Sequence, residues 1–268
     1  MNDVVIASTE ADAGAAEAVE RHHAEMVGAL TLAVESLTAA TRDGRGEAAE
    51  ERRLDLVRWC REELLPHALA EETTMYAAAA EMPTARLLVE AMLAEHGAIM
   101  ALVDELAETA EPVAASGLGR AVRAVFEVHL AKENEQVLPL LVAAPGVSVA
   151  ELLGGMHELL GGEASSHEHD APAAGGCAGH ECTCGEVDGP ELPELDARTI
   201  PHAIRHATIF GALDGVSRGQ GLVLVASHDP LPLLAQLEQR SPGAFDVDYL
   251  DRGPDAWRLL LMRKADES

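Results

Sequence analysis

The chain is poor in positive charge, in aromatic residues and in long apolar runs. Lysine and arginine number 19 against 46 aspartates and glutamates, which gives a formal charge of −27. Nucleic acids and anionic membranes need basic groups opposite their phosphates, so we expect neither as a partner. Aromatic residues make up only 3% of the chain, so a core of Ala, Leu, Val and Met is expected, which favours packed helices. No apolar run reaches about 18 residues, so no membrane span is predicted.

Secretion signals are also missing. The first residues, MNDVVIASTEADAGAAE, contain neither a basic segment nor an apolar one, so we predict no signal peptide. Three of the four cysteines lie between positions 177 and 184, a spacing unlike the disulfide framework of a small secreted domain. We therefore expect a soluble, cytoplasmic protein.

The sequence pattern predicts an α+β multidomain protein in three parts. Residues 1–160 are predicted to form an antiparallel four-helix bundle, because apolar residues recur there at alternating steps of three and four. Residues 161–191 are rich in Gly, Ala, Glu and Pro and are predicted to be a flexible Cys/His-rich linker. Residues 192–268 are predicted to form a small two-layer sandwich with the order β-α-β-α-β-β and both helices on one face.

Turn residues set the expected helix limits in the bundle. The long helices are predicted over 11–40, 47–80, a third beginning after a turn at 82–84, and 118–141, with a shorter one over 149–160. Pro66 should disturb the second helix, Thr84 is the expected N-cap of the third, and residues 112–117 are the expected break before the fourth.

Polar residues interrupt the apolar stripe of every bundle helix where a buried residue belongs. These residues are His23, His67, Glu71, His96, His129 and Glu133. Positions equidistant from the turn of an antiparallel hairpin share one height, and on this rule all six fall within about one helical turn of one level. We therefore expect the six side chains to converge inside the bundle.

Four imidazoles and two carboxylates need partners when buried, because an unpaired polar group costs free energy. A hydrogen-bonded polar layer is one interpretation, and metal coordination is the other. Six ligands exceed the four of a structural zinc. We therefore predict two metal ions, each with two histidines, with both glutamates and an oxo or hydroxo group bridging them. Nitrogen and oxygen ligands suit iron, and five ligands per ion leave one position for a small ligand.

The ordered set of His23, His67-Ala-Leu-Ala-Glu71, His96 and His129-Leu-Ala-Lys-Glu133 resembles the hemerythrin-like (HHE-type) domain, over about residues 12–145. The resemblance implies a non-haem di-iron site that binds dioxygen, nitric oxide or peroxide. Oxygen carriers of this family have a fifth histidine one turn from the third-helix ligand, where this chain has Met92 and Met100. The lost donor disfavours reversible oxygen carriage and favours sensing, iron handling, repair of nitrosative damage or weak peroxidase chemistry.

Neighbouring residues leave alternatives open at this site. His22 precedes His23, but only His23 keeps the helical phase. Glu72 and Tyr76 could reach the open iron position, although solvated rim residues are the simpler interpretation. Cys60 lies on a core stripe and is expected to be inert.

In the linker, Cys177, His180, Cys182 and Cys184 place four soft or borderline ligands within eight residues. Such a group can hold zinc or copper(I). A structural zinc motif, however, normally has two ligand pairs separated by a folded spacer, which is missing here. The sequence therefore allows two interpretations of this linker segment, a metal or redox site and an exposed tether.

The last part, from Leu195 to Trp257, resembles the TusA-like domain that often follows hemerythrin-like domains. Sulfur carriers of that fold have a Cys-Pro pair at the start of the first helix. This chain has Ile200-Pro201-His202, so no persulfide relay is expected there. His202 and His206 share a helical face and His228 ends a predicted strand, so a ligand site and ordinary packing are both open.

These features predict a di-iron protein that binds a small ligand for sensing or a stress response. One alternative is an enzyme that removes peroxide or nitric oxide, or that repairs iron centres. The other is a metal-delivery protein that uses the linker. The six ligands do not decide between these classes.

Overall fold

The computed structural model describes residues 9–159 and 192–265. The protein is an α+β multidomain protein, as predicted, with a helical bundle followed by a small mixed sheet with helices. The predicted linker, with Cys177, His180, Cys182 and Cys184, lies outside the described residues, so its zinc or copper site stays a prediction.

The bundle has four antiparallel helical segments. The first is α1 (Glu10–Arg42) and the third is α5 (Arg86–Glu108). The second contains α2 (Gly46–Trp59), a π-helical turn (Cys60–Leu64), α3 (Leu65–Thr73) and α4 (Met75–Ala80). The fourth contains α6 (Pro112–Lys132), a π-helical turn (Glu133–Val137) and α7 (Leu138–Ala143). A shorter helix, α8 (Val149–Leu159), packs against α1 and α3.

Two of the expected helix limits are wrong. The break predicted over 112–117 is the first turn of α6, which begins at Pro112. Proline is tolerated at a first helical position because that N–H has no helical partner, and Glu111 caps the turn by accepting from the N–H groups of Val113 and Ala114. Thr84 is not an N-cap either, since α5 begins after Ala85 without a side-chain cap.

A single residue separates the end of each π-helical turn from a proline. Pro66 follows the turn in the second segment, where a disturbance was expected, and Pro139 follows the turn in the fourth, where none was. A proline ring clashes with the carbonyl one turn earlier and offers no N–H to it. An extra residue in that turn moves the carbonyl away, which is why the segments continue as helices beyond both prolines.

Apolar packing in the bundle divides into two clusters. One contains Leu30, Leu56 and Phe126, and the other contains Met75, Met92 and Leu138. On α1 the division falls between Val19, in the second cluster, and Met26, in the first. The six predicted site residues occupy this boundary, so the polar groups form a layer between two dry halves of the core.

The C-terminal part has the predicted element order. Its elements are β1 (Glu194–Asp196), α9 (Arg205–Asp214), β2 (Gly221–Ala226), α10 (Leu231–Arg240), β3 (Phe245–Arg252) and β4 (Trp257–Arg263). The strand order is β1-β2-β4-β3, with β1 parallel to β2 and the other pairs antiparallel. The helices and one face of the sheet share a single apolar cluster, in which Leu213, Leu224 and Leu237 are buried.

Helix α9 packs directly against α1, which joins the C-terminal part to the bundle. A Cβ added to Gly28 would lie 2.0 Å from the carbonyl oxygen of Thr208, and one added to Gly211 would lie 2.0 Å from that of Glu25. The two backbones can approach this closely only because both positions lack a side chain. Leu32 of α1 also packs against the C-terminal cluster.

Candidate metal centre

The four helical segments bring all six predicted residues together. α1 contributes His23, α3 contributes His67 and Glu71, α5 contributes His96, and the fourth segment contributes His129 and Glu133. Their side chains are between 0 and 5% exposed. His22, by contrast, is exposed, and its ring lies 5.1 Å from the ring of His67.

Each carboxylate lies between imidazoles of different helices. Glu71 Oε1 is 2.6 Å from His67 Nε2 and 3.3 Å from His23 Nε2, and its Oε2 is 3.7 Å from His96 Nε2. Glu133 Oε2 is 3.8 Å from both His23 Nε2 and His129 Nε2. Glu71 therefore lies within 3.7 Å of three imidazoles, and Glu133 lies 3.8 Å from two.

Two groups of ligand atoms have the spacing that a metal ion needs. His23, His67 and Glu71 form one group, and Glu71, His96 and His129 form the other, with the ligand atoms of each group within 4.8 Å of one another. Glu71 belongs to both groups, and Glu133 approaches one histidine of each. This arrangement matches two adjacent cation positions that share carboxylates.

Four polar atoms of the centre have no hydrogen-bond partner among the described residues. They are both ring nitrogens of His67 and both carboxylate oxygens of Glu133. His67 Nε2 is close to Glu71 Oε1, but the angles do not make a hydrogen bond. Leaving such buried groups unpaired costs roughly 1–3 kcal/mol each. The residues therefore fit a metal better than a self-satisfied polar layer.

The pKa values of the two carboxylates of the centre are shifted in opposite directions. Burial raises the pKa of Glu71, but the charge of His67 and the hydrogen bond and charge of His23 outweigh it and hold that pKa well below its usual range. Burial and the neighbouring Glu71 charge raise the pKa of Glu133 well above its usual range. Burial and the nearby His96 lower the pKa of His129 to about 4, so this imidazole is neutral at pH 7 and able to bind a metal.

Three of the four histidines have a hydrogen-bond partner at Nδ1, the ring nitrogen that faces away from the centre. His23 Nδ1 lies 2.7 Å from Asn134 Oδ1, His96 Nδ1 lies 2.8 Å from Glu72 Oε1, and His129 Nδ1 lies 3.1 Å from Glu95 Oε2. With Nδ1 engaged by an oxygen, Nε2 of each of these rings points into the centre, where it is placed to bind a metal. Sequence reasoning missed Asn134 and Glu95, and it assigned Glu72 either to an iron position or to the rim.

These outer partners follow a pattern. Each is the direct sequence neighbour of a ligand on one helix and contacts the ligand of another helix. Glu72 follows Glu71, Glu95 precedes His96, and Asn134 follows Glu133. A polar residue beside Glu71, His96 and Glu133 was thus the available signal. Lys132 holds Glu95 in turn through a short ion pair.

Tyr76 is an additional polar group inside the centre. Its hydroxyl lies 3.1 Å from His129 Nε2, its ring stacks on His96, and the residue is 1% exposed. The rim interpretation of Tyr76 is therefore wrong. Burial and the charges of Glu133 and Glu71 raise the pKa of Tyr76 far above its usual range, so the hydroxyl keeps its proton.

The positions of the fifth histidine of oxygen carriers offer no nitrogen ligand. Met92 is fully buried within the second apolar cluster, and Met100 is half exposed. Cys60 is buried in the first cluster, where burial raises the pKa of its thiol to about 12, so it is an inert core residue as predicted.

A cavity of about 810 Å³ lies between the bundle and the C-terminal domain. Its lining includes His23 and Asn134 from the bundle and Ile200 and Ile204 from the other side. The hydrogen bond that orients His23 therefore borders the domain interface, and docking of the C-terminal domain affects its surroundings.

Comparisons with known proteins agree with this geometry. A family model described as "Hemerythrin HHE cation binding domain" matches residues 14–141, and one described as "Uncharacterized conserved protein (DUF2249)" matches residues 194–263. No curated protein and no solved structure gave a significant match. The first match spans all six residues of the centre. The second does not name a TusA-like domain, so that part of the resemblance stays a prediction. In the described part of the chain, no helix has the length and apolarity of a membrane span.

Proposed function

We propose that the six buried histidines and glutamates, which all lie within the residues 14–141 that match the hemerythrin HHE cation binding model, bind two iron ions. In this proposal the protein is a non-haem di-iron protein whose small ligand is dioxygen, nitric oxide or peroxide, and it acts in sensing or a stress response.

The observation that carries the proposal is the shared position of Glu71. One carboxylate within reach of two three-ligand groups is what a pair of cations requires, and a single four-coordinate ion would leave several of the six residues without a partner. The unpaired atoms of His67 and Glu133 support the same assignment, since cations would satisfy His67 Nε2 and both Glu133 oxygens.

Iron at these residues would supply a redox-active Lewis acid for the small ligand. The chain orients the imidazoles, excludes water from the layer and supplies a hydrogen-bond donor. Asn134, Glu72 and Glu95 hold three imidazoles with Nε2 inward, and the two apolar clusters exclude water on either side of the layer. The hydroxyl of Tyr76 lies in the same layer and can donate a hydrogen bond to a ligand there.

A role in sensing is supported by the path from the centre to the C-terminal domain. His23 and Gly28 lie on the same helix, little more than one turn apart, and Gly28 contacts the backbone of α9. A shift of α1 that accompanies ligand binding would therefore act directly on the docked domain.

The enzyme alternative is favoured by one observation, the Tyr76 hydroxyl within the centre, 3.1 Å from His129 Nε2. A phenol there can donate a hydrogen bond that would orient and polarise a peroxide or nitric oxide. Steady-state consumption of either substrate, reduced at least about tenfold in Tyr76→Phe with iron content unchanged, would establish the enzyme. Binding of peroxide or nitric oxide without turnover would instead support the sensing role.

Metal analysis tests the di-iron assignment. The protein is loaded with iron without oxygen, desalted and analysed for metals, and its optical spectrum is recorded after exposure to air. We expect two irons per chain and an oxo-to-iron charge-transfer band. Both should be lost in His67→Gln and retained in His22→Gln, which removes the exposed neighbouring imidazole. One zinc per chain, or no metal, would refute the assignment.

A further inference from the structure

A second pocket, with an apolar floor and basic side chains at its rim, lies in the C-terminal domain, away from the metal centre. It has a volume of about 100 Å³ and is formed where β1 and β2 end and α9 and α10 begin. Ligands of sheets with parallel strands bind outside the carboxyl ends of the strands, where this pocket is. Its polar lining consists of His202, Arg205, His206, Ser227 and His228.

The charge of this pocket is opposite to that of the protein. None of the described residues that line it is an aspartate or a glutamate, although acidic residues outnumber basic ones 46 to 19 in the whole chain. The two acids next to lining residues in sequence are engaged elsewhere. Asp196 is paired with Arg198, and Asp229 accepts from the hydroxyl of Tyr249.

Helix α9 leaves donors available at the pocket. It has no side-chain N-cap, so N–H groups of its first turn lack the usual side-chain acceptor, whereas Pro230 and Pro232 at the start of α10 have no N–H to offer. The positive ends of the two helix dipoles add to the basic side chains and attract an anion.

Hydrogen bonds to neighbouring groups fix the positions of these side chains. His206 Nδ1 lies 3.2 Å from Gln236 Oε1, a pure acceptor, so Nδ1 carries a proton and Nε2 stays available. His228 Nδ1 shares a hydrogen bond with the hydroxyl of Ser227. Arg205 uses Nε and one terminal nitrogen on the carbonyl of Ile200, which fixes the guanidinium beside the pocket while other N–H groups remain.

A metal is a poorer occupant than an anion. Among the described residues, groups with metal-ligand spacing occur only in the bundle, and His202, His206 and His228 do not form one. The volume is also well below the roughly 300 Å³ or more of pockets that hold drug-sized ligands. A small tetrahedral oxyanion fits both the size and the charge.

We propose that the C-terminal domain binds one small inorganic oxyanion of the sulfate or phosphate type in the pocket formed by His202, Arg205, His206 and His228. The imidazoles hold the anion best when protonated, so binding strengthens as the pH falls. Arg205 supplies a pH-independent charge, and the neighbouring carboxylates of Asp196 and Asp229 are engaged with Arg198 and Tyr249.

Titration calorimetry of the full chain with sodium sulfate tests the proposal, since the charge of sulfate is constant between pH 6 and pH 8. The salt concentration is held at about 0.1 M, because the net charge of the chain otherwise repels anions. We expect one saturable site at pH 6 and binding at least about tenfold weaker at pH 8. His206→Gln and His228→Gln should each weaken binding at pH 6 by about tenfold, the loss of one charge-assisted hydrogen bond.

Arg258→Gln is the matched control, because it removes a partly exposed charge of the same domain that is paired with Glu194 outside the pocket. It should bind sulfate like the unmodified chain. Adenosine monophosphate provides a further arm. Tighter binding of this nucleotide than of sulfate would assign the pocket to the phosphate group of a larger molecule and overturn the proposal. A linear, unsaturable response to sulfate, or equal binding by the histidine variants, would also overturn it.

Discussion

Replacing Glu133 by methionine should stabilise the metal-free protein and destabilise the iron-loaded one. The Glu133 carboxylate is fully buried and neither oxygen has a hydrogen-bond partner among the described residues. Methionine has a similar size, lacks the two oxygens and fills irregular core space well. The substitution therefore removes a buried unpaired group and one predicted iron ligand at the same time.

The expected magnitude follows from the unpaired group. An unsatisfied buried polar group costs roughly 1–3 kcal/mol, so we expect the free energy of unfolding of the metal-free protein to rise by about 2 kcal/mol, or about 4–8 °C in Tm. Free iron at 1,000 times its Kd would stabilise the unmodified protein by about 4.1 kcal/mol through binding to the native state alone. The order of the two proteins should then reverse.

The gain should also depend on pH. The pKa of Glu133 is raised in the folded state, so its contribution to stability is most favourable below the unfolded-state pKa and is lost as the pH rises. The advantage of Glu133→Met without metal should accordingly be larger at pH 7 than at pH 5.

Thermal and urea unfolding followed by circular dichroism at 222 nm, with and without iron under anaerobic conditions, measures these differences. Glu90→Met, an exposed change on α5, is the control and should stay within about 0.5 kcal/mol of the unmodified protein. If Glu133→Met lowered the stability of the metal-free protein, the unpaired carboxylate would not be a cost, and the reasoning from the unpaired atoms would fail.

Four further predictions follow from individual contacts. Arg53, which is 6% exposed, donates to the carbonyls of Leu106 and Ala107 at the end of α5. Arg53→Met should therefore lower the free energy of unfolding in urea by about 2–3 kcal/mol, whereas Arg52→Met, at a partly exposed surface pair, should have little effect. Cys60 should remain unmodified by iodoacetamide at pH 8.5 in the native protein, because its pKa of about 12 prevents thiolate formation; rapid alkylation seen by peptide mass spectrometry would contradict its burial. Iron affinity should rise between pH 6 and pH 7.5, because the raised pKa of Glu133 means that binding displaces a proton; a flat profile in competition titrations would contradict this. Gly211→Ala should separate the C-terminal domain from α1 and increase the radius of gyration in small-angle scattering, while Gly14→Ala, where a Cβ meets open space, should not.

Periodicity predicted the convergence of the site well, because burial in a helix is fixed by phase. Val19, His23 and Met26 occupy one stripe of α1, so a histidine there had to be buried whatever its partner. Alternation and turn residues likewise predicted the strand and helix order of the C-terminal domain, although α9 begins at Arg205 rather than at Pro201.

The outer partners could not be predicted in the same way. Glu95 and Asn134 are next to core ligands in sequence and therefore about 100° from them around the helix, on the flank of the stripe. Which neighbouring helix they contact depends on rotamers and on helix rotation. Docking of α9 on α1 was also missed, since a glycine such as Gly28 inside a helix only weakens the helical pattern and does not identify the backbone that approaches it.

The two π-helical turns set the rotation of the helical residues that follow them, and in the second segment these include two of the six site residues. Each turn contains one residue more than an α-helix would, which rotates everything after it by about 100°. His67 and Glu71 follow the turn at Cys60–Leu64, so deletion of a single residue there would shorten the chain slightly and swing both side chains out of the layer while leaving the helix itself intact. Glu133 stands at the start of the other turn, so that turn sets the angle between the carboxylate layer and α7. In this bundle the two π-helical turns fix the rotation of the helices that follow them. The geometry of the centre therefore depends on residues that are not themselves ligands.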